Sequence, residues 1–301
     1  LVEGGTVNPS TPMMWDVASL QYLYGLNHSF NAGDNVYTYD PNAPFFKNIW
    51  DGGGNDTIDI SNYAFSSTIN LTPGTFSSLR TRETAPSSAS TYWGNTNLTI
   101  PYNLVIENAI GGSGGDTLIG NGAGNKLQGN AGNDTLTGGT GNDSFAYDVS
   151  QASGTDTITD LQVGDKLTFT RSSGSVFNLQ TNLLSGGNGS GLTSGQVMVG
   201  TTTGGITTLY IGTDATAGAD ITIQLQGSYA AGDFTVTNDG TGSTLTYAGA
   251  GGGVVPPAPG TVIGGPAGAY PQTRNTGNDT LLSSASNDSL DGGAGIDTAD
   301  Y

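Results

Sequence analysis

GGSGGDTLI-GNGAGNKLQ-GNAGNDTLT-GGTGNDSFA, residues 111–146, is four nine-residue units that keep one frame without an insertion. Position six holds Asp116, Asn125, Asp134 and Asp143, and position eight holds Leu118, Leu127, Leu136 and Phe145. Glycines at positions one, two and four let the backbone turn sharply, so that carbonyl oxygens can approach an ion. The position-six carboxylate adds a hard oxygen of the kind calcium prefers. Positions seven to nine make a short strand whose apolar eighth residue points inward.

A glycine-rich period of nine with this pattern is the signature of a calcium-binding parallel β-roll, the RTX repeat. Two nines make one coil, so Asp116 should stack on Asp134, and Asn125 on Asp143, with a cation between turns. One unit upstream in the same frame, Glu107 reaches position six in line with Asn125. Asn125 is the weak member, because it carries no charge. Carbonyl donors are expected from Gly112, Gly114, Gly132 and Gly141. A disordered solvating segment has no need of an apolar residue in phase. A phosphate loop is excluded, since Lys126 follows Asn125 where that motif requires glycine. No stretch matches an EF-hand loop.

Composition narrows the class. The 301 residues leave room for roughly two domains. Seven Lys+Arg against 25 Asp+Glu give a net charge of −18, which disfavours nucleic acid and anionic membranes and favours cations. Zero cysteines exclude disulfides, thiolate metal sites and cysteine catalysis. No apolar run reaches membrane-spanning length, and no signal peptide is visible. Leu1 in place of a methionine, and Tyr301 falling inside a repeat, point to a piece of a longer protein.

Outside the central block the chain divides readily. Thr11 as N-cap and Pro12 in the first turn predict a helix over 12–25, with Met14, Val17, Leu20 or Gln21, and Tyr24 as its apolar stripe. His28 is the only histidine, and one imidazole cannot make a zinc site. WDGGGNDTIDIS, residues 50–61, is an isolated repeat with Asp56 at position six, Ile58 at position eight, and Asp51 and Asp59 as further ligand candidates. STINLTPGTFSSL predicts two short strands about Pro73-Gly74, residues 80–97 a Ser/Thr-rich loop, and LTIPYNLVIENAI a strand entering the roll. Beyond Phe145, Asp156 and Asp160 lie on one face of a strand and are read as closing the roll's last turn with one more cation. From Lys166 to Tyr247 apolar residues alternate with Thr and Gln, predicting an antiparallel sandwich that caps the roll's edge. Residues 251–272 are a Gly/Pro/Ala linker. RNTGNDTLL-SSASNDSLD-GGAGIDTAD, 274–300, then places Asp279, Asp288 and Asp297 in phase, the start of a second repeat block over 273–301.

The order of pieces, PMMWDVASLQYLYG, GDNVYTY, IWDGGGNDTIDIS, TINLTPGTFSSL and LVIENAIGGSGGDTLIGN, resembles the C-terminal part of serralysin-type bacterial zinc metalloproteases (peptidase M10) over about residues 9–250. The resemblance implies that residues 1–45 end a protease-like domain, with the calcium-binding roll over 46–165 and the sandwich cap over 166–250. It implies calcium ligands at Asp51, Asp56, Asp59, Glu107, Asp116, Asp134, Asp143, Asp156 and Asp160. It also implies secretion of a zinc endopeptidase through type I export machinery, guided by a C-terminal signal beyond Tyr301. The family's chemistry does not come with it. The H-E-x-x-H-x-x-G-x-x-H string is absent, so zinc belongs to the missing catalytic part, and Tyr22, Tyr24 and Tyr37 are not where the family's tyrosine lies. The expected architecture is all-β: a parallel β-roll flanked by an antiparallel β-sandwich, with one N-terminal helix. The expected role is a module that folds on extracellular calcium. The competing reading is a non-enzymatic surface protein, an S-layer or adhesion component, whose partner would be its own copies.

Overall fold

The computed structural model describes residues 9–25, 27–81, 94–151, 153–172 and 176–249, together with the strand backbones at 262–263, 280–282 and 298–300. One helix, α1 (Met14–Tyr24), precedes the strands. These begin with β1 (Val36–Thr38), β2 (Lys47–Asn48), β3 (Thr57–Asp59), β4 (Thr68–Asn70), β5 (Phe76–Ser77), β6 (Leu98–Thr99), β7 (Asn108–Ile110) and β8 (Thr117–Ile119). Then come β9 (Lys126–Gln128), β10 (Thr135–Thr137), β11 (Ser144–Asp148), β12 (Thr155–Ile158), β13 (Lys166–Thr170), β14 (Leu184–Ser185) and β15 (Val197–Val199). The remainder are β16 (Ile206–Ile211), β17 (Ile221–Gln226), β18 (Phe234–Asn238), β19 (Gly242–Tyr247), β20 (Val262–Ile263), β21 (Thr280–Leu282) and β22 (Thr298–Asp300).

Consecutive repeats feed opposite sheets. β7, β9 and β11 lie in an eight-stranded sheet ordered β1-β3-β7-β9-β11-β13-β19-β18, while β8, β10 and β12 lie in another ordered β14-β15-β16-β17-β12-β10-β8-β4. Within the block the pairing is parallel and the register advances by eighteen residues, Asn108 on Lys126 and Thr117 on Thr135. Thus the coil length read from the nines is the coil length of the fold. Past the block the advance becomes 22, Thr135 on Thr157 and Ser144 on Lys166, because each turn gains four residues. Upstream, Thr57 pairs with Asn108 across an excursion that holds β5 and β6, which join β2 in a small separate sheet.

The eighth positions form the core. Tyr37, Ile58, Ala109, Leu127, Phe145, Leu167, Leu245 and Val236 are successive neighbours across the first sheet. Ile69, Leu118, Leu136, Ile158 and Leu225 do the same in the second. Ile58, Leu118, Leu127, Leu136, Phe145, Ile158 and Leu167 are all 0% exposed. Each turn thereby buries one apolar side chain from each sheet, the largest gain available to so glycine-rich a chain. Phe145→Ala should cost about 3–5 kcal/mol, lost contact plus cavity, read as a fall in the melting temperature of the calcium-loaded protein. A loss under about 1 kcal/mol would mean that this column is not the core.

The capping strands β15 to β17, β18 and β19 pair antiparallel, as their alternation predicts, whereas β14 pairs parallel to β15, and together they continue the roll's own sheets. β17 pairs parallel to β12, and β19 pairs antiparallel to β13. Both downstream sheet edges of the roll are thus hydrogen-bonded. The helix departs from its expected bounds. It starts at Met14, with the Met13 N–H donating to the Asp16 carboxylate, and the Thr11 hydroxyl instead accepts the Asn48 N–H at 2.7 Å. Only the first half of the expected stripe is covered. Met14 and Val17 are buried, whereas Leu20 is 40% and Tyr24 83% exposed. LTIPYNLVIENAI yields two strands, β6 and β7, where one was expected.

Residues 1–254 and 255–301 are separate compact units. The second contains a three-stranded parallel sheet in which Val262 pairs with Thr280 and Thr280 with Thr298, again an advance of eighteen. β20 lies inside the stretch read as linker, so the repeat register reaches further upstream than its glycines reveal.

Candidate metal centre

The position-six residues of the larger unit form two ladders, one beside each sheet. In the first, Asn35 donates its N–H to Asp56 Oδ1 at 2.8 Å and Asp56 donates its own to Glu107 Oε2 at 2.8 Å. Further along, Asn125 donates to Asp143 Oδ1 at 2.7 Å and Asp143 to Asp165 Oδ1 at 2.8 Å. The Glu107 to Asn125 step is bridged by the Asn125 amide on the Glu107 carbonyl, 2.9 Å. In the second ladder Ser67 donates to Asp116 Oδ1 at 2.7 Å, Asp116 to Asp134 Oδ1 at 2.7 Å, and Asp134 to Asp156 Oδ1 at 3.0 Å. One oxygen of each carboxylate is therefore spent on the backbone one turn back, which fixes where the other oxygen goes.

That other oxygen is the unusual feature. Asp56 Oδ2, Asp134 Oδ2 and Asp143 Oδ2 are buried and have no hydrogen-bond partner. A buried anionic oxygen without donor or counter-charge is costly, and the remedy is a cation. The surroundings offer hard oxygens to complete one. A Cβ added at Gly129 or Gly138 would collide with Asp134 Oδ2 or Asp143 Oδ2, so these glycines keep the space beside the free oxygens open. Gly132 and Gly141 adopt φ of 126° and 135° and lie against the carbonyls of Gly114 and Ala123 one turn upstream. Gly112 donates its N–H to Asp116 Oδ2 at 2.7 Å, and both Gly112 and Gly114 sit against the backbone of residues 63–66. Among the described residues no three acidic or histidine side chains converge on one point. The carboxylates come one per turn, with backbone carbonyls between them, a donor set that suits calcium and is too hard for zinc.

Burial, partly offset by the backbone donors, raises Asp134 and Asp143 to about 7, Asp156 to about 8 and Asp165 to about 6. The cation-free fold thus holds protons that the unfolded chain has already released. That contribution is fully present below the ordinary carboxylate range and is lost as pH rises through about 6 to 8. In chelator, more strand signal should survive at pH 5 than at pH 8, and saturating calcium should flatten the difference. A chelated protein that is more stable at pH 8 would contradict the assignment of these carboxyls to the interior.

The other expected residues are placed variously. Asp51 is buried, accepts the Tyr37 hydroxyl at 2.5 Å and the Gly53 N–H at 2.6 Å, and its charge adjoins Asp56 and Glu107. Asp59 stands apart on the half-buried outer face of β3, its Oδ1 capping the Ser61 N–H at 2.8 Å. Asp160 is buried, with its oxygens accepting the N–H groups of Gly138 and Gly139, each at 2.8 Å. Asn125 Oδ1 accepts the Asn121 N–H at 2.7 Å, and its amide donates to the Glu107 carbonyl, which leaves one lone pair of that oxygen over. Asp279, Asp288 and Asp297 lie outside the described residues. Three ladder members were missed from sequence: Asn35, Ser67 and Asp165. Asp165-Lys-Leu repeats the Asp143-Ser-Phe pattern, so a search allowing one longer turn finds it.

Comparison with known families places this geometry. Residues 16–236 match the model of the peptidase M10 serralysin C-terminal region, and residues 275–299 match that of the RTX calcium-binding nonapeptide repeat. The chain is similar to Metalloprotease AprA of Pseudomonas entomophila (strain L48), 38% identical over 128 residues, 38% of this chain and 24% of that protein. Serralysin B of Dickeya chrysanthemi is 37% identical over 36% of this chain and 22% of its own length. Serralysin of Proteus mirabilis is 34% identical over the same shares, 36% and 22%. The matched stretch spans less than a quarter of these relatives.

Proposed function

Because the chain belongs to the peptidase M10 serralysin C-terminal family, we propose that it is the calcium-folded export module of a secreted zinc metalloendopeptidase whose catalytic part lies outside this sequence. The observation that carries the reading is the set of buried, unpartnered carboxylate oxygens on Asp56 and Asp143 in one ladder and Asp134 in the other. Calcium would be held by Asp51, Asp56, Glu107, Asp116, Asp134, Asp143, Asp156 and Asp165, with the glycine-turn carbonyls and Asn125 as neutral donors. It supplies the positive charge that the interior lacks.

The chain's own residues do the rest. The ladder N–H groups fix one oxygen of each carboxylate, and the glycines keep the adjoining space open. Where calcium is scarce, the repulsion of these carboxylates and the entropy of the glycines keep the chain unfolded and fit to pass a type I exporter. Outside, cation binding and folding are one event. The test is export of the chain from cells carrying a type I exporter and a suitable C-terminal signal. Exported chain should resist added protease only with calcium in the medium. Chain that is already protease-resistant inside the cell would sink the export reading while leaving calcium binding intact.

A further inference from the structure

Tyr147 stands where the repeat calls for glycine. By the nine-residue count it takes position one, the place of Gly111, Gly120, Gly129 and Gly138. At those glycines an added Cβ would meet the position-six oxygen of the same unit: Asp116 Oδ2 at 2.8 Å, Asn125 Oδ1 at 2.5 Å, and Asp134 Oδ2 and Asp143 Oδ2 closer still. Position one is therefore aimed at the position-six oxygen that does not accept the ladder N–H, free in Asp134 and Asp143. A side chain fits there only if the turn is larger, and this turn is: the advance from β10 to β12 is 22 residues where that from β8 to β10 is eighteen.

The tyrosine uses that room. It is 4% exposed, and its ring stacks on Phe169 with centroids 5.6 Å apart. From β11 in one sheet it reaches across the interior to the ladder beside the other. Burial there, and the neighbouring charges of Asp156 and Asp134, push the phenol well above its ordinary range. The hydroxyl lies beside the Asp156 carboxylate yet completes no hydrogen bond of normal geometry. Asp134 Oδ2 is buried and unpartnered as well, as is Ser153 Oγ on the turn that leads to Asp156. Tyr147 and Asp134 thus each bring a buried, unpartnered oxygen to the neighbourhood of Asp156.

We propose that Tyr147 is the positioning residue of the cation step between Asp134 and Asp156, its phenol donating to the Asp156 carboxylate and setting which oxygen faces the cation. The phenol adds no charge, so it orients the ligand without competing for its place. The inference rests on the calcium reading above, and the test separates the two.

Calcium is titrated calorimetrically into the full chain for the unaltered protein, Tyr147→Phe, Asp156→Asn and the double variant, with the tyrosine near-ultraviolet dichroism followed in parallel. Phenylalanine keeps the ring on Phe169 and removes only the hydroxyl. Tyr147→Phe should weaken calcium binding at the step between Asp134 and Asp156 by about tenfold, leave the ladder of Asp56, Glu107 and Asp143 unaffected, and reduce the calcium-dependent tyrosine band. On an Asp156→Asn background it should add nothing, since the group it positions is gone. An unchanged isotherm, additive losses in the double variant, or failure of Tyr147→Phe to fold in saturating calcium would each overturn the positioning role. An unaltered protein that binds no calcium would overturn the calcium reading instead.

Discussion

In excess chelator at neutral pH the chain is expected to lose most of its strand signal, and calcium, not magnesium, is expected to restore it cooperatively. The reasons lie on both sides of the equilibrium. The folded side buries carboxylate oxygens of Asp56, Asp134 and Asp143 with no partner, within a chain of net charge −18. The unfolded side is favoured by the backbone entropy of 50 glycines. Each filled site contributes RT ln(1 + [L]/Kd), about 2.7 kcal/mol at a hundredfold excess, so a few sites together are comparable to the whole stability of an ordinary domain. Cooperativity follows from the ladders. Asp134 is tied to Asp116 on one side and Asp156 on the other, so closing one step places ligands for the next. Magnesium requires near-octahedral geometry and gives up its waters reluctantly, which a site of flexible turn carbonyls does not provide for. Circular dichroism against free calcium, with magnesium as control, measures all of this. Undiminished strand signal in chelator would mean that the turns fold on glycine alone, and the export switch would be lost while the fold stands.

How much of this was legible depends on which residues carried the period. Asp and Leu in phase over 111–146 fix the eighteen-residue coil, and the structure pairs Thr117 with Thr135 on that spacing. The period fades where chemistry substitutes for composition. Ser67 and Asn35 occupy ladder positions but carry no charge, and their N–H groups, which any residue supplies, make the contact. Asp165 was hidden by four extra residues that break the frame, and Tyr147 by replacing the glycine that announces a turn. Alternation from Lys166 onward revealed strands and their inward faces, yet the pattern is the same for a separate sandwich and for strands that extend the roll. Only the pairing of β12 with β17 and β13 with β19 distinguishes them. Similarly, Thr11 before Pro12 has the chemistry of an N-cap, but its hydroxyl found the Asn48 N–H, a partner 37 residues away that no local reading weighs.

Substituting Asp134 separates ladder from surface most sharply. Asp134→Ala removes the Oδ1 that accepts the Asp116 N–H at 2.7 Å, leaving a buried donor unpaired. It also removes an Oδ2 that faces the space kept open by Gly129, in a ladder shared with Asp116 above and Asp156 below. Losing the hydrogen bond alone costs about 1–3 kcal/mol. Losing a carboxylate ligand weakens the steps on both sides, so the calcium midpoint for folding should rise by about tenfold or more. Asp59→Ala is the matched comparison, an acid from the same kind of repeat that keeps the net charge change equal. Its carboxylate is half-buried on the outer face of β3 and caps only the Ser61 N–H. There the midpoint should move by less than about twofold, as for a surface substitution. Both variants lose one negative charge, so any general relief of repulsion cancels between them. Equal midpoints would therefore show that calcium acts on the charge of the chain as a whole, and that register within the ladder contributes nothing.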